Sequence, residues 1–217
     1  MYPTGNLFIP VAHGRLEAIL KEPRTAPAGV ALVLHPHPLG GGTMHNKVVF
    51  RAAAALNDAG LTTLRINFRG VGQSSGSHDE GRGELEDVSA GLEYLVSNFP
   101  ALPLTLCGFS FGARVGLEVG IGDGRVRNLI SVGTPVDKYD FTFLEQCAKP
   151  ILFVHGENDE FGTVERVQEL VSRIQTHNAE VELAVINDAD HFFAGQLDEL
   201  KRMITDWMKG QQLFAAR

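Results

Sequence analysis

Cysteine, tryptophan and long apolar runs are scarce in this chain. Its 217 residues include two cysteines, Cys107 and Cys147, and one tryptophan. Two cysteines cannot build a disulfide framework, and no C-x-x-C pair is present to suggest a zinc or redox site. No apolar run approaches the roughly 20 residues of a membrane-spanning helix, and the N-terminus does not have the basic and apolar regions of a secretory signal. We therefore expect a cytoplasmic protein with no membrane partner.

Positive charge is also in short supply. Lysine and arginine number 19 against 26 aspartate and glutamate residues, which gives a formal net charge of −7. Because nucleic-acid-binding proteins usually carry a basic patch, we expect no nucleic-acid partner. Hydrophobic residues make up 44% of the chain and charged residues 21%, as in ordinary globular proteins. The length favours one domain over residues 1–217, and it is compatible with a monomer or a homodimer.

Short apolar runs alternate with amphipathic segments along the chain. The runs are Val30–Leu34, Thr62–Phe68, Leu104–Cys107, Leu129–Val132, Ile151–Val154 and Val181–Ile186. The segments between them repeat apolar residues every three or four positions, as in Val48, Ala52 and Leu56. Strands alternating with helices predict an α/β fold with a mostly parallel, doubly wound sheet. The earlier stretch Leu7–Lys21 predicts an antiparallel hairpin at the sheet edge, turning at His13–Gly14.

A serine in the pattern G-x-S-x-G is a candidate nucleophile, and the pattern occurs twice, at 72–76 and 108–112. A nucleophile elbow needs a strand before it and a helix directly after it, because the strained turn lifts the serine above the sheet. Ser110 has both, whereas Ser74 is followed by a polar loop. We therefore predict Ser110 as the nucleophile. The Phe111 N–H, at the positive end of the following helix, is the expected first donor to an oxyanion.

A serine hydroxyl needs a general base, and in this arrangement the acid and then the histidine follow the serine along the chain. The histidines after Ser110 are His155, His177 and His191. His155 ends a predicted strand, and His177 lies at the end of a predicted helix. His191 follows the last predicted strand through a polar loop, which brings it to the carboxyl edge of the sheet. His191 is therefore the predicted base.

The acid is expected in the loop after the predicted strand Ile151–Val154, since this loop lies between the serine and the histidine in chain order. It offers three carboxylates, Glu157, Asp159 and Glu160. We predict Asp159, with the two glutamates as alternatives. Its role would be to orient the histidine and to stabilise the imidazolium that forms during the reaction.

The loop after the predicted strand Val30–Leu34 is expected to supply a second oxyanion donor. Pro36 and Pro38 have no N–H, so His37 and Leu39 are the candidate donors, and the sequence does not choose between them. A metal site at His35 and His37 is disfavoured, because side chains two residues apart on extended backbone point in opposite directions. We expect no metal and no cofactor.

Taken together, these motifs resemble the α/β-hydrolase superfamily, and more narrowly the small, lidless bacterial serine hydrolases related to dienelactone hydrolases and carboxylesterases. The resemblance is carried by HPHPLGGGTMHNK (35–47), NFRGVGQSSGSHDEGRGELED (67–87), GFSFGA (108–113), HGENDE (155–160) and DADHFF (188–193). It implies a catalytic triad of Ser110, Asp159 and His191. Dienelactone hydrolases have cysteine at the elbow, so the serine here favours simple ester hydrolysis.

The segment Gly133–Lys149 is too short for a helical cap domain, and it contains Tyr139, Phe141 and Phe143. Further aromatic residues, Phe109, Phe161 and Phe192, flank the predicted catalytic positions. They predict a shallow apolar pocket for a short acyl chain. The expected activity is hydrolysis of small carboxylic esters through an acyl-enzyme. The alternatives are a thioesterase, peptidase or acyltransferase with the same triad, or a non-catalytic binding protein with this fold.

Overall fold

The computed structural model describes residues 5–215, with side chains up to residue 211. The strands are β1 (Gly5–Val11), β2 (Gly14–Lys21), β3 (Gly29–Leu34), β4 (Leu61–Ile66), β5 (Leu104–Phe109), β6 (Val126–Val132), β7 (Ile151–Gly156) and β8 (Val181–Ile186). The α-helices are α1 (Lys47–Asp58), α2 (Arg82–Asn98), α3 (Phe111–Gly122), α4 (Val164–Gln175) and α5 (Leu197–Ala215). Strands and α-helices alternate after β3 as predicted, except between β6 and β7.

All eight strands form one sheet, in the order β1-β2-β4-β3-β5-β6-β7-β8. The β1–β2 hairpin is antiparallel and joins β4 antiparallel, whereas every pair from β4 to β8 is parallel. The predicted mostly parallel sheet with an N-terminal antiparallel hairpin is thus confirmed. Because the carboxyl ends of parallel strands lie at one edge, the loops after β3, β5, β7 and β8 meet there.

Several predicted strand boundaries differ from those observed, and two of the differences have reasons visible in the hydrogen bonds. β4 ends at Ile66 rather than at Phe68, because the Phe68 N–H leaves the sheet and donates to the side chain of His35 at 3.0 Å. β7 continues to Gly156, two residues past the apolar run, since His155 and Gly156 still pair with β8. Apolar patterning therefore located the strands and the carboxyl ends of β3, β6 and β8, but not those of β4, β5 and β7.

The helices cover both faces of the sheet, which buries the central strands completely. α1 and α5 pack on one face with Val33, Ile130 and Leu152, and α2, α3 and α4 cover the other with Leu32 and Leu106. This is the arrangement that near-continuous apolar strands require. Among residues 5–215, no helix has both the length and the apolar character to cross a bilayer.

Within residues 5–215, no cap domain covers the carboxyl edge of the sheet. Between β6 and β7 the chain forms only a short 3₁₀ helix, Thr142–Gln146. Phe141 is 3% exposed and belongs to the core on the α2–α4 face, so it does not line the predicted apolar pocket.

Candidate active site

The turn between β5 and α3 has the geometry of a nucleophile elbow. Ser110 has φ 56° and ψ −119°, a strained backbone conformation for a residue other than glycine. The neighbouring backbone approaches closely, since a Cβ on Gly108 would lie 2.3 Å from the Gly112 carbonyl oxygen, and one on Gly112 would lie 2.6 Å from the His35 carbonyl oxygen. Only glycine fits at these two positions. The strain places the Ser110 side chain above the sheet at the start of α3.

The three predicted side chains lie together in one hydrogen-bonded line. His191 Nε2 is 2.9 Å from Ser110 Oγ, and His191 Nδ1 is 2.8 Å from Asp159 Oδ2. A carboxylate can only accept, so His191 Nδ1–H donates to Asp159 and Nε2 is left to accept from the Ser110 hydroxyl. The imidazole therefore has the tautomer that a general base needs. Asp159 and His191 are buried, whereas Ser110 is partly exposed.

Of the three carboxylates in the loop after β7, only that of Asp159 contacts the His191 ring. Asp159 Oδ1 also accepts the Phe161 N–H at 2.8 Å, which fixes the carboxylate plane. Glu157 accepts the Asp188 N–H at 2.9 Å, and Glu160 accepts the His191 backbone N–H at 3.3 Å. The two glutamates thus fasten the loop that carries His191 without reaching its ring.

Ser74, the serine of the other G-x-S-x-G copy, is held in place by hydrogen bonds to backbone groups. Ser74 is 8% exposed, and its hydroxyl donates to the Asn67 carbonyl at 2.7 Å while accepting the Glu17 N–H at 2.8 Å. No helix follows until α2 begins at Arg82. Both hydrogen-bonding directions of this hydroxyl are occupied by backbone groups, as expected for a loop-fixing side chain.

The candidate second oxyanion donors differ in their hydrogen bonding. The Leu39 N–H donates to His37 Nδ1 at 3.2 Å, and the Leu39 side chain is 78% exposed. The His37 and Phe111 N–H groups have no acceptor within the described chain. Since the loop that contains His37 lies against the elbow, two unpaired donors come from the two segments that border Ser110.

Comparison with known proteins identifies the family. The model of the alpha/beta hydrolase domain matches residues 29–208. The chain belongs to the alpha/beta hydrolase family. The hydrolase is 40% identical over 202 residues to an uncharacterized protein of Rickettsia prowazekii (strain Madrid E), an alignment that covers 90% of this chain and 85% of that protein.

Solved structures of similar proteins agree with the absence of a cap. An alpha-beta serine hydrolase homologue from Coxiella burnetii matches the hydrolase with a TM-score of 0.88 and 39% identity, covering 95% of this chain and 99% of that one. A serine hydrolase without a lid from Xanthomonas campestris matches with a TM-score of 0.87 and 32% identity, covering 97% of each chain. The predicted resemblance to small, lidless members of the family is thus confirmed.

Three phenylalanines predicted to line the pocket surround the His191 ring of the hydrolase. The ring centroids of Phe109, Phe161 and Phe192 lie 5.0, 4.5 and 5.2 Å from that of His191. Phe109 is only 1% exposed, whereas Phe192 is 49% exposed. Phe109 is therefore a buried support for the imidazole, and Phe161 and Phe192 are left to offer apolar surface beside the His191 ring.

Two buried histidines of the hydrolase connect the loops around the site. His35 Nδ1–H donates to the Pro36 carbonyl at 2.6 Å, and Nε2 accepts the Phe68 N–H at 3.0 Å. His155 Nδ1 accepts the Thr134 N–H at 3.2 Å, and Nε2–H donates to the Gly162 carbonyl at 2.7 Å. Each ring uses both nitrogens, so neither is available to a metal, and each must be neutral to make both bonds. His177 is exposed near the end of α4.

The neutral state of His35 makes the stability of the hydrolase depend on pH. Burial lowers the pKa of His35 from 6.5 to about 4, and burial lowers that of His155 as well. Between pH 6.5 and about pH 4, His35 binds a proton in the unfolded chain but not in the folded chain. The free energy of unfolding therefore falls as the pH falls through this range. We expect His35 alone to reduce the free energy of unfolding by about 3 kcal/mol between pH 7 and pH 4.

Urea unfolding at pH 7, 5.5 and 4 tests this expectation. His35→Gln should be less stable than the natural chain at pH 7, because two buried hydrogen bonds are disturbed, yet it should lose less stability on acidification. His177→Ala, which alters an exposed histidine, should leave the pH dependence unchanged. Equal losses in the natural and His35→Gln chains would contradict the assignment of a neutral, buried His35.

Proposed function

We propose that this hydrolase cleaves small carboxylic esters with short acyl chains through an acyl-enzyme on Ser110. The observation that carries the proposal is the continuous hydrogen-bonded line from Asp159 through His191 to Ser110, with distances of 2.8 and 2.9 Å. A nucleophile, its base and the group that orients the base are the three parts that acyl transfer requires.

The reaction follows from the positions of the protons. His191 Nε2 takes the hydroxyl proton as Ser110 Oγ attacks the ester carbonyl, and Asp159 stabilises the resulting imidazolium. The negative carbonyl oxygen accepts from the N–H groups of Phe111 and His37, the two unpaired donors beside the serine. His191 then gives its proton to the departing alcohol. A water molecule, deprotonated by His191, then attacks the acyl-enzyme. As the bond between the acyl carbon and Ser110 Oγ breaks, His191 returns that proton to Oγ, and the carboxylic acid leaves.

The proposed acyl preference rests on how little of the site is enclosed. In the part of the chain that the structure describes, no cap covers the carboxyl edge, and Phe192 remains 49% exposed. Each methylene contributes about 0.8 kcal/mol only when it is buried, so a long acyl chain would leave most of its methylenes in water. Phe161 and Phe192, whose rings lie next to that of His191, are the apolar surface proposed to receive the acyl group. Short acyl groups therefore obtain most of the binding energy that the site can give.

A series of p-nitrophenyl esters from acetate to palmitate tests the substrate class. We expect kcat/KM to be highest for acetate to butyrate and to fall for longer chains. A steady rise towards palmitate would contradict the proposed short-chain preference. Thioesters, aminoacyl amides and competing alcohol acceptors, measured in parallel, separate an esterase from a thioesterase, a peptidase and an acyltransferase. A fluorophosphonate probe should label Ser110, and failure to label it would indicate a non-catalytic protein.

A further inference from the structure

Two imidazoles contact the side chain of Phe111, directly after the nucleophile. The ring centroid of His37 lies 4.9 Å and that of His78 lies 5.7 Å from the Phe111 ring, and the two imidazoles are 4.8 Å apart. His37 comes from the loop after β3 and His78 from the loop before α2. These three rings, which we call the ring cluster, therefore link both proposed oxyanion donors, Phe111 and His37, to a third loop.

His78 is anchored to a buried carboxylate. Glu84, in the first turn of α2, is completely buried, and its Oε1 is 2.8 Å from His78 Nδ1 and accepts the Asp79 N–H at 3.0 Å. The other oxygen accepts the Gly81 N–H at 2.8 Å. Three hydrogen bonds fix this carboxylate, so it defines the orientation of the His78 ring. The catalytic steps described above do not use this His78–Glu84 pair.

The orientation of the His37 ring in turn determines the shape of its loop. His37 Nδ1 accepts the Leu39 N–H, and the His37 carbonyl accepts the N–H groups of Gly40 and Gly42 at 3.0 Å each. Burial, and next the neighbouring His78, lower the pKa of His37, which favours the neutral ring that this contact needs. A shift of the ring would break the Leu39 contact and move the turn that presents the His37 N–H.

We propose that His78, anchored by Glu84, is a positioning residue for the oxyanion hole: its ring holds His37 against Phe111 and so sets the separation of the two backbone donors. The proposal rests on the proposed function, because two such donors matter only where an oxyanion forms. His78 acts through His37 and does not itself contact the substrate. Displacing a donor weakens binding of the oxyanion but not of the ground-state ester, so kcat should change and KM should not.

Two substitutions separate the ring of His78 from its hydrogen bond. His78→Asn keeps an N–H donor for Glu84 but removes the ring, and it should be as stable as the natural chain with kcat lowered about tenfold, part of the 10²–10³ that a whole donor is worth. His78→Phe keeps a ring against His37 but leaves the buried Glu84 one donor short. It should be less stable, yet its kcat should lie within about threefold of the natural value. The expected KM stays within about twofold in both.

The proposal is overturned if kcat changes in parallel with stability, that is, if His78→Asn is fully active and the less stable His78→Phe is impaired. That pattern would assign His78 only to the support of Glu84. His177→Asn, at an exposed position two residues after α4 ends, is the matched control and should leave kcat unchanged.

A second measurement does not depend on finding a substrate. Solvent exchange of the Leu39 amide, followed by NMR, reports whether His37 Nδ1 still accepts its hydrogen bond. It should be faster in His78→Asn than in the natural chain and in His78→Phe. Unchanged exchange in His78→Asn would refute the positioning role even in an active enzyme. Faster exchange in a chain that hydrolyses no ester would instead support the positioning role and refute the proposed function.

Discussion

Replacing Ser110 with alanine is expected to lower kcat for ester hydrolysis by about 10⁶-fold, as loss of the nucleophile does in serine proteases. The reason is that Ser110 Oγ, 2.9 Å from His191 Nε2, forms the covalent bond on which the proposed cycle depends. Without it His191 can activate only water, and the unpaired Phe111 and His37 donors supply what catalysis is left. The measurement is steady-state hydrolysis of p-nitrophenyl butyrate, together with loss of fluorophosphonate labelling.

The second G-x-S-x-G copy provides a matched control. Ser74→Ala removes the same atom from the same motif, but at a site where the hydroxyl bridges Glu17 and Asn67. It should retain kcat within a few-fold and lose roughly 1–3 kcal/mol of stability, since the buried Asn67 carbonyl and the partly buried Glu17 N–H lose their partner. Substantial turnover by a purified Ser110→Ala chain, or equal inactivity of Ser74→Ala, would contradict the assignment of the nucleophile.

The two serines also show what the sequence was able to predict. The motif letters around Ser74 and Ser110 are equivalent, and only the strand before and the helix after Ser110 separate them. Those neighbours are visible in the sequence because apolar patterning is local. The same reasoning placed His191 and Asp159 at the carboxyl edge of the sheet, since parallel strands fix which loops meet there. Patterning and chain order together were sufficient to bring the three side chains into one predicted site.

Features that depend on side-chain packing between distant loops were not predictable. Whether His37 or Leu39 has an unpaired N–H depends on a single contact to His37 Nδ1, which no pattern encodes. Phe109 was predicted to face substrate, but its place at the last residue of β5 buries it beneath the His191 ring. His78 lies in a polar stretch with no periodicity. Its approach to Phe111 becomes visible only when the loop before α2 is folded.

The second large effect on kcat is expected from replacing Asp159, one of the three acidic residues in the loop after β7. Asp159→Asn should lower kcat by about 10⁴-fold, the cost measured for the equivalent change in serine proteases. The Phe161 N–H donates to Asp159 Oδ1, so the asparagine oxygen should stay on that side and turn its NH₂ group towards His191. Nδ1 must then accept, and the proton moves to Nε2. That tautomer donates to Ser110 and cannot take its proton, so the base is lost although the geometry is kept.

Glu157→Gln and Glu160→Gln are the controls, because both residues accept backbone N–H groups of the loop around His191 rather than contacting its ring. A glutamine oxygen can replace a carboxylate oxygen in those bonds, so kcat should fall no more than a few-fold. NMR of the imidazole nitrogens should show Nε2 protonated in Asp159→Asn and Nδ1 protonated in both controls. A 10⁴-fold loss in either glutamine variant, with Asp159→Asn active, would transfer the orienting role to that glutamate. Retention of the Nδ1–H tautomer in an inactive Asp159→Asn chain would show that the lost charge, rather than the misplaced proton, causes the effect.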